Sequence, residues 1–279
     1  MRSPDTVLCR PCVYRTAAVE GALWIGLMAY LHGVWYKDVP RVPFEFYNDS
    51  RGYLQVDKAG HAWGSYIESY LEHRALRACG VPKGKALLYG GTLGIILQTP
   101  IEVWDGMYEG WGFSWSDMAA NAAGSLLVIG QEAAWDDQPI KYKWTFAPSP
   151  YANQANGYLG ETLAGQIFND YNGHTYWLSV PLQKLGLHAA PPWLCISAGY
   201  SANGMFGEFE NRKSYRGVRI PETERYRQWL LSLDVDWTRI PTRSKLLRKV
   251  FNGMFAIKLP FPAVEINGPG RVKAYGLYW

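Results

Sequence analysis

Gln98-Thr99-Pro100-Ile101-Glu102-Val103-Trp104-Asp105, the glycine-rich and aromatic run Gly106 to Trp115, and Ser116-Asp117-Met118-Ala119-Ala120-Asn121-Ala122-Ala123-Gly124 decide how this chain is read. The stretch runs on to Gln138, and its acidic groups stand among Trp, Ala, Gly and Leu. An unpaired charge in such surroundings is expensive, so each carboxylate calls for a partner. Upstream, Asp57-Lys58-Ala59-Gly60-His61 opens another apolar segment, and a helix there puts Asp57 and His61 on one face. Glu102 and Asp105 are three apart, and Asp117 and Asn121 four apart, both same-face spacings. Ser114 or Ser116 supplies an N-cap for a helix reaching about Trp135. Three helical segments thus offer matching polar clusters to one another.

The first helix is Thr16 to Tyr36, apolar apart from Glu20, Gly21, Gly26 and His32. Its length of about twenty residues suits a bilayer span. Glu20 and His32 favour a buried core helix instead, because a lipid-facing charge is costly. Asp38 to Gly52 reads as a loop, and the second helix runs from Asp57 to about Cys79, where Gly80-Val81-Pro82 ends it. A third begins near Lys83 and continues through Ile96, with Gly90, Gly91 and Gly94 allowing a neighbour to approach closely. Pro100 is expected to end or kink it.

Composition narrows the classes. The 279 residues carry a net charge of only +4 and 48% hydrophobic residues, enough for one large domain or two small ones. No basic run accompanies a nucleic-acid-binding signature, so nucleic acid is not an expected partner. The 13 Trp and 19 Tyr are high counts, and such amphipathic rings gather at interfaces and membrane boundaries. Cys9 and Cys12 form a C-x-x-C pair, while Cys79 and Cys195 lack companions at zinc spacing. We read the plain case as one or two buried or unpaired thiols. Arg2 to Arg15 holds polar and Pro residues and does not make a standard signal peptide.

Asp57-Lys58-x-x-His61, Glu102-x-x-Asp105, Trp111-Gly112-Phe113-Ser114, Asp117-x-x-x-Asn121-x-x-Gly124 and Gln131 to Gln138 together resemble the uncharacterised periplasmic lipoprotein family of the YfiM type. The D-K-x-x-H and D-x-x-x-N-x-x-G elements are more distantly similar to VanZ-like membrane proteins. The resemblance is read through Asp170-Tyr171-Asn172-Gly173-His174-Thr175-Tyr176-Trp177-Leu178-Ser179, over most of the chain. It implies a place at the bacterial envelope and no established reaction, and it lends no catalytic residues. Val7-Leu8-Cys9 lacks the apolar run of a lipoprotein leader, so Cys9 is not expected to be lipidated.

Beyond Trp135 the texture changes. Asp136-Asp137-Gln138-Pro139 and Pro148-Ser149-Pro150 punctuate a connecting region, with a short helix over Leu159 to Phe168. From Trp193 the period becomes two: Leu194, Ile196, Ala198 and Tyr200 alternate with Trp193, Cys195, Ser197 and Gly199. Trp229, Leu231, Leu233, Val235 and Trp237 give the clearest strand. Val264 to Ile266 and Arg271 to Trp279 flank Asn267-Gly268-Pro269-Gly270 as a hairpin. The terminal Tyr275-Gly276-Leu277-Tyr278-Trp279 is similar to the closing strand of outer-membrane barrels. With few clear strands, an edge hairpin packed on helices is the preferred reading.

The expected fold class is α+β: a helical bundle with VanZ-like motifs over 1–135, a connecting region over 136–192, and an antiparallel β portion over 193–279. The catalytic residues are not fixed; the candidates are His61, Asp57, Lys58, Glu102, Asp105, Asp117 and Asn121. His61 is either a base oriented by Asp57 or a metal ligand completed by Glu102, Asp105 or Asp117. The plainer alternative, which we favour, is a hydrogen-bonded network that fixes helix packing. Asp170, Asn172, His174 and Trp177 form a second polar group, lining a glycan- or lipid-binding cleft or simply making a turn. No hydrolase or phosphate-binding motif is present, and neither cofactor nor metal is assigned. The expected role is structural or accessory in the envelope, associated with the outer membrane, with membrane lipid or an outer-membrane complex as partner. An enzyme acting on a lipid-linked or cell-wall substrate is the rival.

Overall fold

A computed structural model describes residues 7–268 and 270–279. Two compact units emerge: residues up to Ser50 with His61–Asp136, and Arg51–Gly60 with Asp137–Trp279. The fold is α+β, as expected.

The first unit is helical. It contains α1 (Arg10–Leu31), most of α2 (Val56–Ala78), α3 (Lys83–Tyr89), α4 (Leu93–Asp105) and α5 (Trp115–Trp135). Ser114 caps α5 by accepting from the Asp117 N–H at 3.1 Å. This satisfies one of the orphan donors of the first turn. Glycines set the helix spacing. A Cβ on Gly124 would lie 2.0 Å from the Ala62 carbonyl oxygen, and one on Gly94 2.1 Å from that of Ser65. Both α4 and α5 therefore press their backbones onto α2.

Three expectations need correction here. The break after Lys83 falls between Tyr89 and Leu93, at the glycine pair Gly90-Gly91. Pro100 stays inside α4, where the Thr99 hydroxyl bonds the Ile95 carbonyl at 2.6 Å. The first apolar helix is not a buried core helix: Val19, Leu23, Ile25 and Tyr30 are exposed, and only Met28 and Leu31 of α1 are buried. Cys9 and Cys12 are joined in a disulfide at its start, whereas Cys79 and Cys195 are buried free thiols. Arg10–Tyr36 and Lys83–Asp105 are long and apolar enough to cross a membrane by length and composition. Glu20 of α1 is hydrogen-bonded to Glu72 of α2 within the unit.

The second unit is built on an antiparallel sheet. Its strands are β1 (Lys141–Phe146), β2 (His174–Pro181), β3 (Leu194–Asn203), β6 (Tyr226–Val235), β7 (Phe261–Asn267) and β8 (Val272–Tyr278), in the spatial order β1-β2-β3-β6-β7-β8. A two-residue pair, β4 (Ser214–Tyr215) and β5 (Val218–Arg219), stands apart. Helices α6 (Leu163–Asn169) and α7 (Lys245–Gly253) lie in the connections. The C-terminal hairpin is thus not an edge hairpin packed on helices but the end of a six-stranded sheet. Pro269 of its turn lies outside the described residues. The stretch 136–192 holds β1 and β2 as well as its short helix.

The sheet curls so that one face is enclosed. Residues 256–258 run along the free edge of β1: the Trp144 N–H donates to the Ala256 carbonyl at 2.9 Å and Trp144 bridges Ile257. Across the enclosed side Thr175 meets the Tyr278 hydroxyl at 3.3 Å. Trp177, Leu230 and Ala263 form its small apolar centre.

Candidate functional site

The two faces of the sheet have opposite chemistry to that of a water-soluble protein. The inner face is largely polar: Lys141, Lys143, Thr145, Ser179, Ser197, Ser201, Gln228, Ser232, Asp234, Glu265 and Asn267 are all buried. The register puts them side by side, Lys141 opposite Ser179, Ser179 opposite Ser197, and Ser197 opposite Ser232. The outer face is apolar. Leu178, Ala198, Leu231, Val264 and Ala274 are consecutive partners across five strands, and all are exposed. Trp229, Leu233 and Ile266 extend this surface and are likewise exposed. An antiparallel sheet with one wet face ordinarily sends its apolar residues inward. Here the alternation is reversed, the arrangement of strands that face lipid on one side and a polar interior on the other.

Charged groups inside are ion-paired or hydrogen-bonded. Lys143 Nζ lies 2.8 Å from Asp234 Oδ2, with both side chains at most 1% exposed, and donates to the Val235 carbonyl at 2.7 Å. Lys258 donates to Ser232 Oγ at 2.9 Å and sits 4.5 Å from the Trp177 ring centre. Glu265 accepts from the Tyr275 hydroxyl at 2.6 Å and from Asn267 at 3.1 Å. Such pairing is what allows charged groups to stay in a buried interior.

The second polar group of the sequence lies in this unit too. Asp170 accepts from Ser149 at 2.5 Å and from the Asn172 amide at 2.9 Å. Asn172 in turn donates to the Met205 carbonyl and accepts from its N–H, each at 2.8 Å. These side chains bind a turn to a neighbouring loop. His174 accepts from Trp144 Nε1 at 2.9 Å, and Trp177 donates to Thr145 at 3.1 Å, both residues being buried. Asp57 is held by Lys58 at 2.9 Å and by the Tyr171 hydroxyl at 2.9 Å. Tyr171 is a partner the sequence could not supply, since it lies 114 residues away.

In the helical unit, three of the candidates come together. His61 Nδ1 lies 3.5 Å from Glu102 Oε1, and Nε2 lies 3.8 Å from Asp117 Oδ1. The site is closed, with side-chain exposures of 16% for His61, 1% for Glu102 and 5% for Asp117. Burial pushes the Glu102 carboxyl up to about 8; His61 opposes this, and Asp117 and Asp105 add to it. The other Glu102 oxygen accepts from the Ser114 N–H at 3.2 Å. Asp105 stands apart, accepting from the Tyr36 hydroxyl at 2.6 Å. Asn121 follows Asp117 by one turn of α5, and its backbone carbonyl accepts from Ser65 at 2.6 Å.

The candidate residues read from the sequence left out the serines of this seam. Ser65 and Ser69 both reach Ser125, at 2.9 and 2.8 Å, and Ser69 accepts from the Gly94 N–H at 3.0 Å. Their four-residue spacing along α2 was the available signal.

The geometry defines a class: an α+β protein with a closed carboxylate–histidine seam in one unit and a polar-inside, apolar-outside sheet in the other. Residues 45–129 match the model of the family described as "Predicted periplasmic lipoprotein (DUF2279)". The resemblance read from the Asp57 to Gly124 motifs is therefore shown over that stretch, and 170–179 lies beyond it. Over these residues the chain is similar to a family of predicted periplasmic lipoproteins, which supports a periplasmic, cell-envelope location and names no activity. VanZ-like proteins are not part of the match. No curated protein and no solved structure matches the chain.

Proposed function

We propose that the protein is an outer-membrane-embedded component of the bacterial envelope, with a structural or accessory role and its sheet unit in the lipid. The reversed polarity of the sheet carries this reading. Exposed rows such as Leu178-Ala198-Leu231-Val264-Ala274 have no reason to persist in water, and buried serines and ion pairs make a poor soluble core. Strands β3 and β6, of ten residues each, have the length a tilted strand needs to cross the hydrocarbon. Six strands are fewer than the eight of the smallest known single-chain barrels, and β8 is an edge. An outer-membrane protein that pairs with that edge is the partner this reading calls for.

The test is fractionation of the native protein on separated inner and outer membranes, followed by an alkaline carbonate wash. Retention in the washed outer membrane is expected. Release into the wash would overturn the proposal.

The rival reading, an enzyme on a lipid-linked or cell-wall substrate, draws on Glu102 standing beside His61 Nδ1. It predicts that His61→Gln abolishes the substrate-dependent phenotype of a deletion strain, whereas full complementation would end it. The closure of the seam is what makes it second.

A further inference from the structure

We infer that α7 (Lys245–Gly253) docks on an anionic phospholipid bilayer, lying flat at its boundary with its apolar side toward the acyl chains and its basic side among the phosphates. The inference uses no strand of the sheet, and it stands apart from the lipid-facing reading of the outer face.

The residues of α7 sort by chemistry around its axis. At about 100° per residue, Leu246, Val250, Leu247 and Phe251 share one arc of about 140°, and Lys245, Arg248, Lys249 and Asn252 take the opposite one. No residue of the helix is buried. Leu246 is 71% exposed, Val250 46% and Leu247 45%. Phe251 is half-buried, its ring 5.9 Å from that of Trp237. Ser244 accepts from the Leu247 N–H at 3.3 Å, so the cap sets the helix and with it the two sides. A helix of this pattern ordinarily turns its apolar side to a core. This one presents it outward. Apolar surface continues past the helix, because Trp237 donates to the Ile257 carbonyl at 3.1 Å and Ile257 is exposed.

Charge names the occupant. From Trp237 to Val264 the chain carries Arg239, Arg243, Lys245, Arg248, Lys249 and Lys258 and no acidic residue. Lys258 is buried, and Arg239 is taken up by Asp137 and Asp236 at 2.6 and 3.1 Å. Arg243, Lys245, Arg248 and Lys249 are exposed, and among the described residues no carboxylate pairs with them. An apolar arc backed by unneutralised cations is the pattern of a helix lying at the head-group boundary, held by buried apolar area and by attraction to anionic lipid. A second copy of the chain would bring the same positive charges, and four apolar side chains fall well short of the roughly 1,000 Å² that a stable interface needs. A nucleic acid would satisfy the cations and leave Leu246, Leu247 and Val250 in water.

The experiment uses the full chain with its disulfide intact. A nitrobenzoxadiazole label is attached through Val250→Cys or Lys249→Cys, on the apolar and the basic side; the native thiols Cys79 and Cys195 are buried, and unsubstituted protein sets the background. Protein and lipid are mixed in detergent and the detergent removed, giving vesicles of phosphatidylcholine alone or of equal parts phosphatidylcholine and phosphatidylglycerol. In the anionic vesicles the label at 250 should emit to the blue and resist quenching by aqueous acrylamide, while the label at 249 stays open to it. The shift at 250 should be several-fold smaller in phosphatidylcholine and largely lost in Lys245→Gln/Arg248→Gln, whose side chains are exposed and carry no part of the core. Equal quenching at 250 in the two lipids, equal protection at 249 and 250, or a shift indifferent to the double change would each overturn the inference. Protection that grows with protein density and ignores lipid charge would assign the face to a second copy and overturn it too. A label at position 231 in the same vesicles separates the two readings: a dry 250 with a wet 231 removes the strands from lipid and keeps α7 on it, and the reverse does the opposite.

Discussion

In the helical unit buried polar side chains line the contacts between helices, and between α2 and α5 Ser65 and Ser69 both bond Ser125 at under 3 Å. In the sheet unit they fill a whole face, and the apolar side chains are turned out. The difference is what the proposed surroundings of each unit rest on. A seam of hydroxyls lets helix backbones approach closely and fixes their register, a device available in any medium. A sheet whose enclosed side holds Lys143, Asp234 and Glu265 while Leu231 and Val264 are exposed has the polarity that the proposed lipid-facing exterior requires.

The largest effect should come from breaking a charge pair on the inner face. Asp234→Leu leaves Lys143 buried without its carboxylate and should cost about 3–5 kcal/mol in denaturant unfolding, whereas the double variant Lys143→Met/Asp234→Leu should recover most of the loss. Next is the outer face. Leu231→Arg should cost about 2–4 kcal/mol in a bilayer. The same change on a wet surface stays within about 0.5 kcal/mol, so its cost separates lipid from water.

A smaller effect is expected in the helical seam. Gly124→Ala forces α5 off the Ala62 carbonyl and should destabilise by about 1–3 kcal/mol, while Gly130→Ala, with open space at its Cβ, should not. The smallest is a pH slope. Burial and Glu72 raise Glu20 to about 8, and burial raises Glu68 to about 7. The folded state therefore keeps protons that the unfolded chain releases near the ordinary carboxyl range, so stability is full below about pH 4.5 and declines as pH rises toward 8. Thermal melts from pH 5 to 8.5 should show a falling midpoint, flattened by Glu20→Gln.

Much of the helical unit was legible because its signals are local. Ser114 caps α5, the Gly80-Val81-Pro82 stop follows α2, and His61, Glu102 and Asp117 meet as their same-face spacings implied. The early end of the third helix was misplaced because a lone proline weighs heavily in sequence, whereas tertiary packing kept Pro100 helical. Strand β1 went unread although Lys141-Tyr142-Lys143-Trp144-Thr145-Phe146 alternates cleanly. Lysine at alternate positions suggests an exposed face, and nothing nearby in sequence announces that Asp234 will receive Lys143. The Asp57–Tyr171 bond and the enclosure of β1 by residues 256–258 are long-range in the same way. The alternation at Trp229 to Val235 was visible, but which set faced inward required the sheet.

The reversed sheet is the central claim, and a nitroxide placed at position 231 in protein reconstituted into phospholipid vesicles tests it most directly. The account predicts a label that collides freely with molecular oxygen and is shielded from a water-soluble nickel chelate. A label open to the chelate and no more exposed to oxygen than in solution would contradict it.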